Sequence, residues 1–145
     1  MKSILAVSAF VFSLSAFACP NLSGEYVNDE FGTYYSISQS GCESIQFIYD
    51  EGTVDNSIDG KEYLVNQYDV VVEEGKVLAT VKIYSSYEWK NDRLINKQRS
   101  ETVYTSGGVD NDSGWSESYL NKKNDLVTVS HGKDGKETMV DHRVK

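Results

Sequence analysis

The chain has 145 residues, with 22 acidic against 14 basic side chains, ten tyrosines, two cysteines and a single proline. A formal net charge of −8 repels phosphate backbones and anionic membrane surfaces, which argues against nucleic-acid binding. The same charge keeps a small protein in solution and attracts cations or basic partners.

From the N-terminus, Lys2 is followed by an apolar run over residues 4–17 that ends in Ala16-Phe17-Ala18. A positive start, a short apolar stretch and small residues at −3 and −1 predict a cleavable secretion signal over residues 1–18. Bilayer crossing as a helix takes about 20 apolar residues, so this run predicts no transmembrane span. What remains, residues 19–145, has the size of one domain and is more negative still without Lys2. Cys19 and Cys42 both fall in it, and two cysteines in an oxidising compartment predict a Cys19–Cys42 disulfide. The location implied is periplasmic or secreted. The alternative is a lipid anchor on Cys19, which follows the cleavage point as in an outer-membrane lipoprotein, although Ala16-Phe17-Ala18 fits a lipobox poorly. One sulfur cannot serve both fates.

The exported part holds one alanine, Ala79, and is rich in Val, Ile, Thr and Tyr, a composition suited to half-buried strands. Strands are expected at 23–27, 33–39 and 43–49, with a tight reversal at Ser40-Gly41-Cys42, then at 54–58 and 62–65. A hairpin follows, 68–72 against 77–84 across Glu73-Glu74-Gly75-Lys76, pairing Val72 with Val77, Val70 with Ala79 and Tyr68 with Val81. Further strands are expected at 87–90 and 94–104, a glycine-rich loop over 106–114, and a strand at 115–121 turning at 122–125 into 126–131. An Asp134-Gly135 turn closes the last hairpin, pairing Val129 with Val140, His131 with Thr138 and Val127 with His142. Alternation then predicts that Val70, Val72, Val77, Ala79, Val81, Val129 and Val140 share one dry interior. About eight to ten short antiparallel strands joined by short turns predict an all-β, up-and-down β-barrel, because closure removes both sheet edges. Charged side chains at the outward positions exclude an outer-membrane barrel.

Leu22-Ser23-Gly24-Glu25-Tyr26 resembles the Leu-x-Gly-x-Trp opening of lipocalin-like barrels, with Tyr in place of Trp. The resemblance implies that Gly24 lets the chain turn at the barrel floor, that Tyr26 plugs the closed end and that Arg143 packs over its ring. Residues 126–144 are similar to the final hairpin of small exported bacterial lipocalin-like domains. The function implied is carriage of a small apolar ligand by a monomer.

Other chemistry is sparse. His131 and His142 share a face but stand four strand positions apart, roughly 13 Å, too far for one metal. Asp55–Gly60 and Asp110–Gly114 resemble the first halves of calcium loops without a closing acid, so no metal or other cofactor is expected. Ser130 and His131 are strand neighbours and point to opposite faces. No spacing singles out two acids for catalysis, and the chain is not expected to be an enzyme; a site built from scattered acids is the remaining catalytic option. Aromatics cluster in the second half at Tyr84, Tyr87, Trp89, Tyr104, Trp115 and Tyr119. The candidate ligand-lining set is Tyr68, Trp115, Ser116, Ser118 and Tyr119, the two serines leaving space beside Leu120. The alternative role is a non-enzymatic cell-envelope interaction module, an inhibitor or a surface structural protein.

Overall fold

The computed structural model describes residues 19–72 and 75–144. The expected signal and Glu73-Glu74 of the expected turn lie outside the described residues. Ten strands carry the fold: β1 Gly24–Asn28, β2 Thr33–Ser40, β3 Ser44–Tyr49, β4 Gly52–Ser57, β5 Tyr63–Val71, β6 Val77–Lys90, β7 Arg93–Tyr104, β8 Val109–Leu120, β9 Leu126–Gly132 and β10 Gly135–Arg143. They form one antiparallel sheet in the order β4-β3-β2-β1-β10-β9-β8-β7-β6-β5, curled into a half-barrel. No helix among the described residues is long and apolar enough to cross a membrane.

Each reversal has a local cause. Asn91 and Asn124 take positive φ at the β6–β7 and β8–β9 turns, a conformation their short polar side chains tolerate. Asn121 also ties the second of these turns, accepting from the Lys123 and Asp125 N–H groups at 2.8 and 3.0 Å. Two pairs of expected strands merge. Residues 62–65 and 68–72 become the single β5, and 77–84 continues through 87–90 as β6. The expected loop over 106–114 shrinks, because Val109–Gly114 extend β8 against Val103–Gln98. Those residues read as loop by composition, yet on an exposed ladder Asp110, Asn111 and Asp112 keep their water while the backbone pairs.

The β5–β6 register keeps Val70 opposite Ala79 and Tyr68 opposite Val81, as alternation predicts. Val77 pairs with Val71 rather than Val72, because the register shifts between Val70 and Val71. In the last hairpin the turn falls on Lys133-Asp134, with Gly135 at φ 123° ending it. Val129 therefore faces Thr138, Val127 faces Val140 and His131 faces Lys136, two residues away from the expected register. A slip of two keeps every side chain on its face.

The shared dry interior of seven residues is not found. Val70, Ala79 and Val81 continue the face that carries Ser85 and Tyr87, whereas Val129 and Val140 lie on the opposite face with Glu117 and Tyr119. Only Ala79 and Val129 of the set are buried; Val70, Val72 and Val140 are exposed. The core instead gathers Leu22, Tyr26, Tyr35, Ile37, Ile45, Leu94 and Leu126, with Phe47, Ile58, Tyr87, Trp89 and Leu120 packed against it. It draws β1–β4 onto one half of β6–β9. The other halves of β6–β8, and β5 beyond Val65, have no facing layer. Each fully buried aliphatic such as Leu22 or Ile45 contributes about 1.5–3 kcal/mol. The Cys19–Cys42 disulfide ties the chain just before β1 to the β2–β3 turn across 23 residues, a closure worth roughly 3 kcal/mol. The expected pairing of Cys19 with Cys42 is thus present.

The two arms of the sheet meet where β1 pairs β10, with Tyr26 opposite Arg143. Tyr26 is fully buried, donates its hydroxyl to the Leu22 carbonyl at 2.7 Å and lies 5.7 Å beneath the Arg143 guanidinium. Arg143 also donates to the Ser23 carbonyl. A Cβ on Gly24 would stand 2.6 Å from Arg143 Nε, so only glycine leaves room for the guanidinium. Gly24→Val is expected to destabilise the fold by about 1–3 kcal/mol, and Arg143→Ala by a similar amount. The double variant should cost clearly less than the sum, since one contact is lost twice. Urea midpoints of the four proteins check this, and strict additivity would refute the contact.

Candidate functional site

Above that floor the half-barrel forms a cavity of about 350 Å³ that is open on one side. Period-two alternation decides which residues reach it. From β2 and β3 come Tyr35, Ile37, Phe47 and Tyr49; from β6 and β7, Tyr87, Leu94 and Asn96. β8 contributes Ser116 and Ser118, β9 Leu126 and Thr128, and β10 Met139 and Asp141. Register accounts for the set. Leu94, Ser118, Thr128 and Met139 form one continuous row across four strands, and Tyr87, Asn96 and Ser116 form the next.

The small side chains of β8 leave the space open. Ser118 and Thr128 hydroxyls bond each other at 3.0 Å. Asn96 accepts from Ser85 at 2.8 Å and donates to the Tyr87 hydroxyl at 3.2 Å. Opposite this polar arc stand the rings. Tyr26, Tyr35 and Tyr49 stack in sequence at 5.8 and 5.5 Å, and Phe47 meets Tyr87 at 6.4 Å. Burial pushes the Tyr87 hydroxyl above the usual phenol range.

At one end the cavity holds a carboxylate, Asp141, which is 2 % exposed. Tyr35 and the Asn28 amide both donate to it. Asn28 in turn accepts the Phe31 N–H at 2.9 Å, which fixes the β1–β2 turn at the mouth, where Phe31 is exposed. Burial first, and then the bond to Asp141, raises the Tyr35 pKa strongly.

Alternation separates the residues expected to line a ligand. Ser116 and Ser118 line the cavity. Trp115 and Tyr119 point to the other face, where Trp115 stacks on His131 at 3.8 Å and Tyr119 lies 4.3 Å under Arg93. Tyr68 shares the cavity's parity, but it stands on the uncovered part of β5 and is exposed. Gly24, Tyr26 and Arg143 form the floor. Asp141, Asn28, Tyr35, Asn96, Thr128 and Met139 were not expected at the site. The signal for Asp141 and Met139 lay in Arg143: if that residue faces inward, so do the residues two and four before it.

The opposite face carries a wider, more open groove between Trp115, His131 and Glu117 on one side and Glu62 and Arg99 on the other. Its charges answer one another. Arg99 grips Glu62 through two bonds of 2.9 and 2.8 Å while lying 3.8 Å over Tyr84, and Arg93 meets Glu117 at 2.7 Å. Arg99 holds the Glu62 carboxyl below its usual range. His142 stands between Asp29 and Asp125 at 3.7 and 3.4 Å. Asp55 lies within β4, and Asp59 is engaged by Tyr63 and the Lys61 N–H at 2.7 and 3.0 Å. No group of three or more ligating side chains among the described residues is placed to hold a metal ion.

The Tyr35–Asp141 bond sets an alkaline limit. Folded Tyr35 keeps its proton to higher pH than the unfolded chain does, so its contribution is complete below about pH 10 and is lost as pH rises further. Stability should fall in that range by up to about 1.4 kcal/mol per pH unit for this residue. Tyr35→Phe should flatten that slope and cost about 1–3 kcal/mol at neutral pH through the donor lost to Asp141. Urea midpoints between about pH 8 and 11.5 read both, and an unchanged alkaline slope would contradict the assignment.

No family model, curated protein or solved structure matches the chain, so the cavity's own chemistry carries the functional reading.

Proposed function

We propose that this chain is an exported, lipocalin-like, non-enzymatic carrier that holds a small, largely apolar molecule inside its half-barrel. One observation carries the reading. An inward space of about 350 Å³, between aromatic rings on β2 and β3 and small polar side chains on β8 and β9, is left unfilled by the protein's own residues. A cleft lined mainly by apolar and aromatic side chains with a few convergent polar groups is the usual form of a small-molecule site. The lipocalin resemblance is supported by the floor, where Gly24, Tyr26 and Arg143 make the contacts that it implies. Export to the periplasm or medium is supported by the signal-like residues 1–18 and by the disulfide.

A neutral fluorescent probe tests carriage. N-phenyl-1-naphthylamine should bind the folded protein with enhanced emission and micromolar affinity. Ser118→Phe, which projects a ring into the cavity, should weaken that binding at least about tenfold, or about 1.4 kcal/mol, while the floor contacts remain. Probe binding unaffected by Ser118→Phe, or absent altogether, would count against carriage.

A second reading, an envelope interaction module, is favoured by β5. Every residue of this edge strand is exposed, several are apolar, and Asp69 is its only charge. Such an edge offers unpaired backbone groups to another strand. If the module reading holds, native mass spectrometry of protein from its own host should return the chain with a second polypeptide. A Val71→Lys variant should release it. Recovery with a small molecule and no polypeptide would reject this reading.

A further inference from the structure

Resting on the carrier reading, we propose that the ligand is a small organic cation, an amine or ammonium group on an apolar or aromatic body, with Asp141 as its counter-ion. The cavity holds one charge. Asp141 is almost fully buried and lines it, while no Lys, Arg or His among the described residues does so. The nearest cation along β10, Arg143, is turned onto the Tyr26 ring and the Ser23 carbonyl. Buried charges are ordinarily paired, because an unanswered charge in a dry interior costs several kcal/mol.

The hydrogen bonds both run toward Asp141, which accepts them with capacity to spare. The Phe31 N–H bonds Asn28 Oδ1 and so aims Nδ2 at Asp141 Oδ1, which makes Asn28 a donor. Tyr35 engages the other oxygen, Oδ2. A carboxylate has about four lone-pair sites, so about two are left for a ligand's N–H groups. Both present partners are neutral. The same space is walled by Tyr35, Phe47, Tyr49 and Tyr87, rings whose faces attract ammonium groups. A net charge of −8 draws cations toward the protein from solution. An anion would meet the carboxylate's repulsion. A neutral ligand would leave the charge unanswered.

Calorimetric titration with 2-phenylethylamine, 2-phenylethanol and phenylacetate compares one aromatic body bearing a cation, a neutral hydroxyl and an anion. The amine should bind about tenfold or more tighter than the alcohol, and phenylacetate weakest. Asp141→Asn should bring the amine down to the alcohol's affinity. The amine-to-alcohol ratio of the unaltered protein decides by itself, so the test stands even if Asp141→Asn does not fold. Equal affinity for amine and alcohol, or tighter binding of phenylacetate, overturns the cation. So does failure of the amine to bind while N-phenyl-1-naphthylamine still does, and in each of these cases carriage survives. Failure of all four compounds to bind overturns both readings.

Discussion

The β1–β10 ladder is the contact on which the half-barrel depends. Among the strand ladders it alone joins the arm β1–β4 to the arm β5–β10, since β4 and β5 stand at the two ends of the sheet order. The ladder is short. Tyr26 pairs with Arg143 and Val27 with His142, and the Val144 N–H reaches the Glu25 carbonyl at 2.9 Å. So few backbone bonds would hold two sheet arms weakly, and side chains supply the rest. Arg143 covers Tyr26, Gly24 makes room for it, and Tyr35 stacks on Tyr26 from the next strand. A glycine weakens a strand interior through lost entropy and packing. Here that cost is offset by a guanidinium seated where a Cβ would otherwise be.

Asp141 belongs to the same junction. Its two oxygens reach Asn28 on β1 and Tyr35 on β2, so a residue of β10 fastens the first two strands of the other arm. A buried carboxylate is a poor choice for stability alone, because apolar residues of similar volume commonly do as well or better. Its neighbours show how readily the position could be apolar: Leu126 lies directly opposite it on β9, and Met139 is the preceding inward residue of its own strand. A polar group placed where packing would favour a hydrophobe is the kind of local conflict that function imposes. The junction and the cavity are therefore one structure, and the side chain that steadies the arms also lines the interior.

Much of the fold was legible in the residues, and the limits were physical. Turn chemistry marked Gly41 and Asn124 and placed the last reversal at Asp134-Gly135, one residue from where it falls, and alternation gave Val70 opposite Ala79 in register. What alternation could not give was which face is inner where both are partly apolar. In the last hairpin Val127, Val129 and Val140 look like a core stripe, and the two on β9 are indeed buried, but against the outer face beside Ile95 and Tyr119. Arg143 held the answer. A residue that caps the floor from inside fixes odd positions of β10 as inward, which is incompatible with an inward Val140. Ser116 and Ser118 carry the same lesson, since accepting them as inward commits Trp115 and Tyr119 to the other side. The run from Val109 to Gly114 was illegible for another reason: an exposed ladder needs no apolar side, so its strands have the composition of a loop.

The uncovered half of the sheet follows from strand length. β1–β4 run five to eight residues, whereas β6–β8 run twelve to fourteen, so the short arm covers only part of the long one. Val70 is left in water on the cavity-side face, although it stands opposite the buried Ala79. Such a surface invites aggregation unless its edge is spoiled. β5 carries two register shifts, at Leu64/Asn66 and Val70/Val71, and shifts of this kind bend an edge and break the even spacing another strand would need. Asp69 adds a charge held by Thr80 at 2.7 Å, so burying it would take a charge out of water together with its partner. The irregular edge thus makes indiscriminate pairing less favourable while leaving the apolar face beside it accessible.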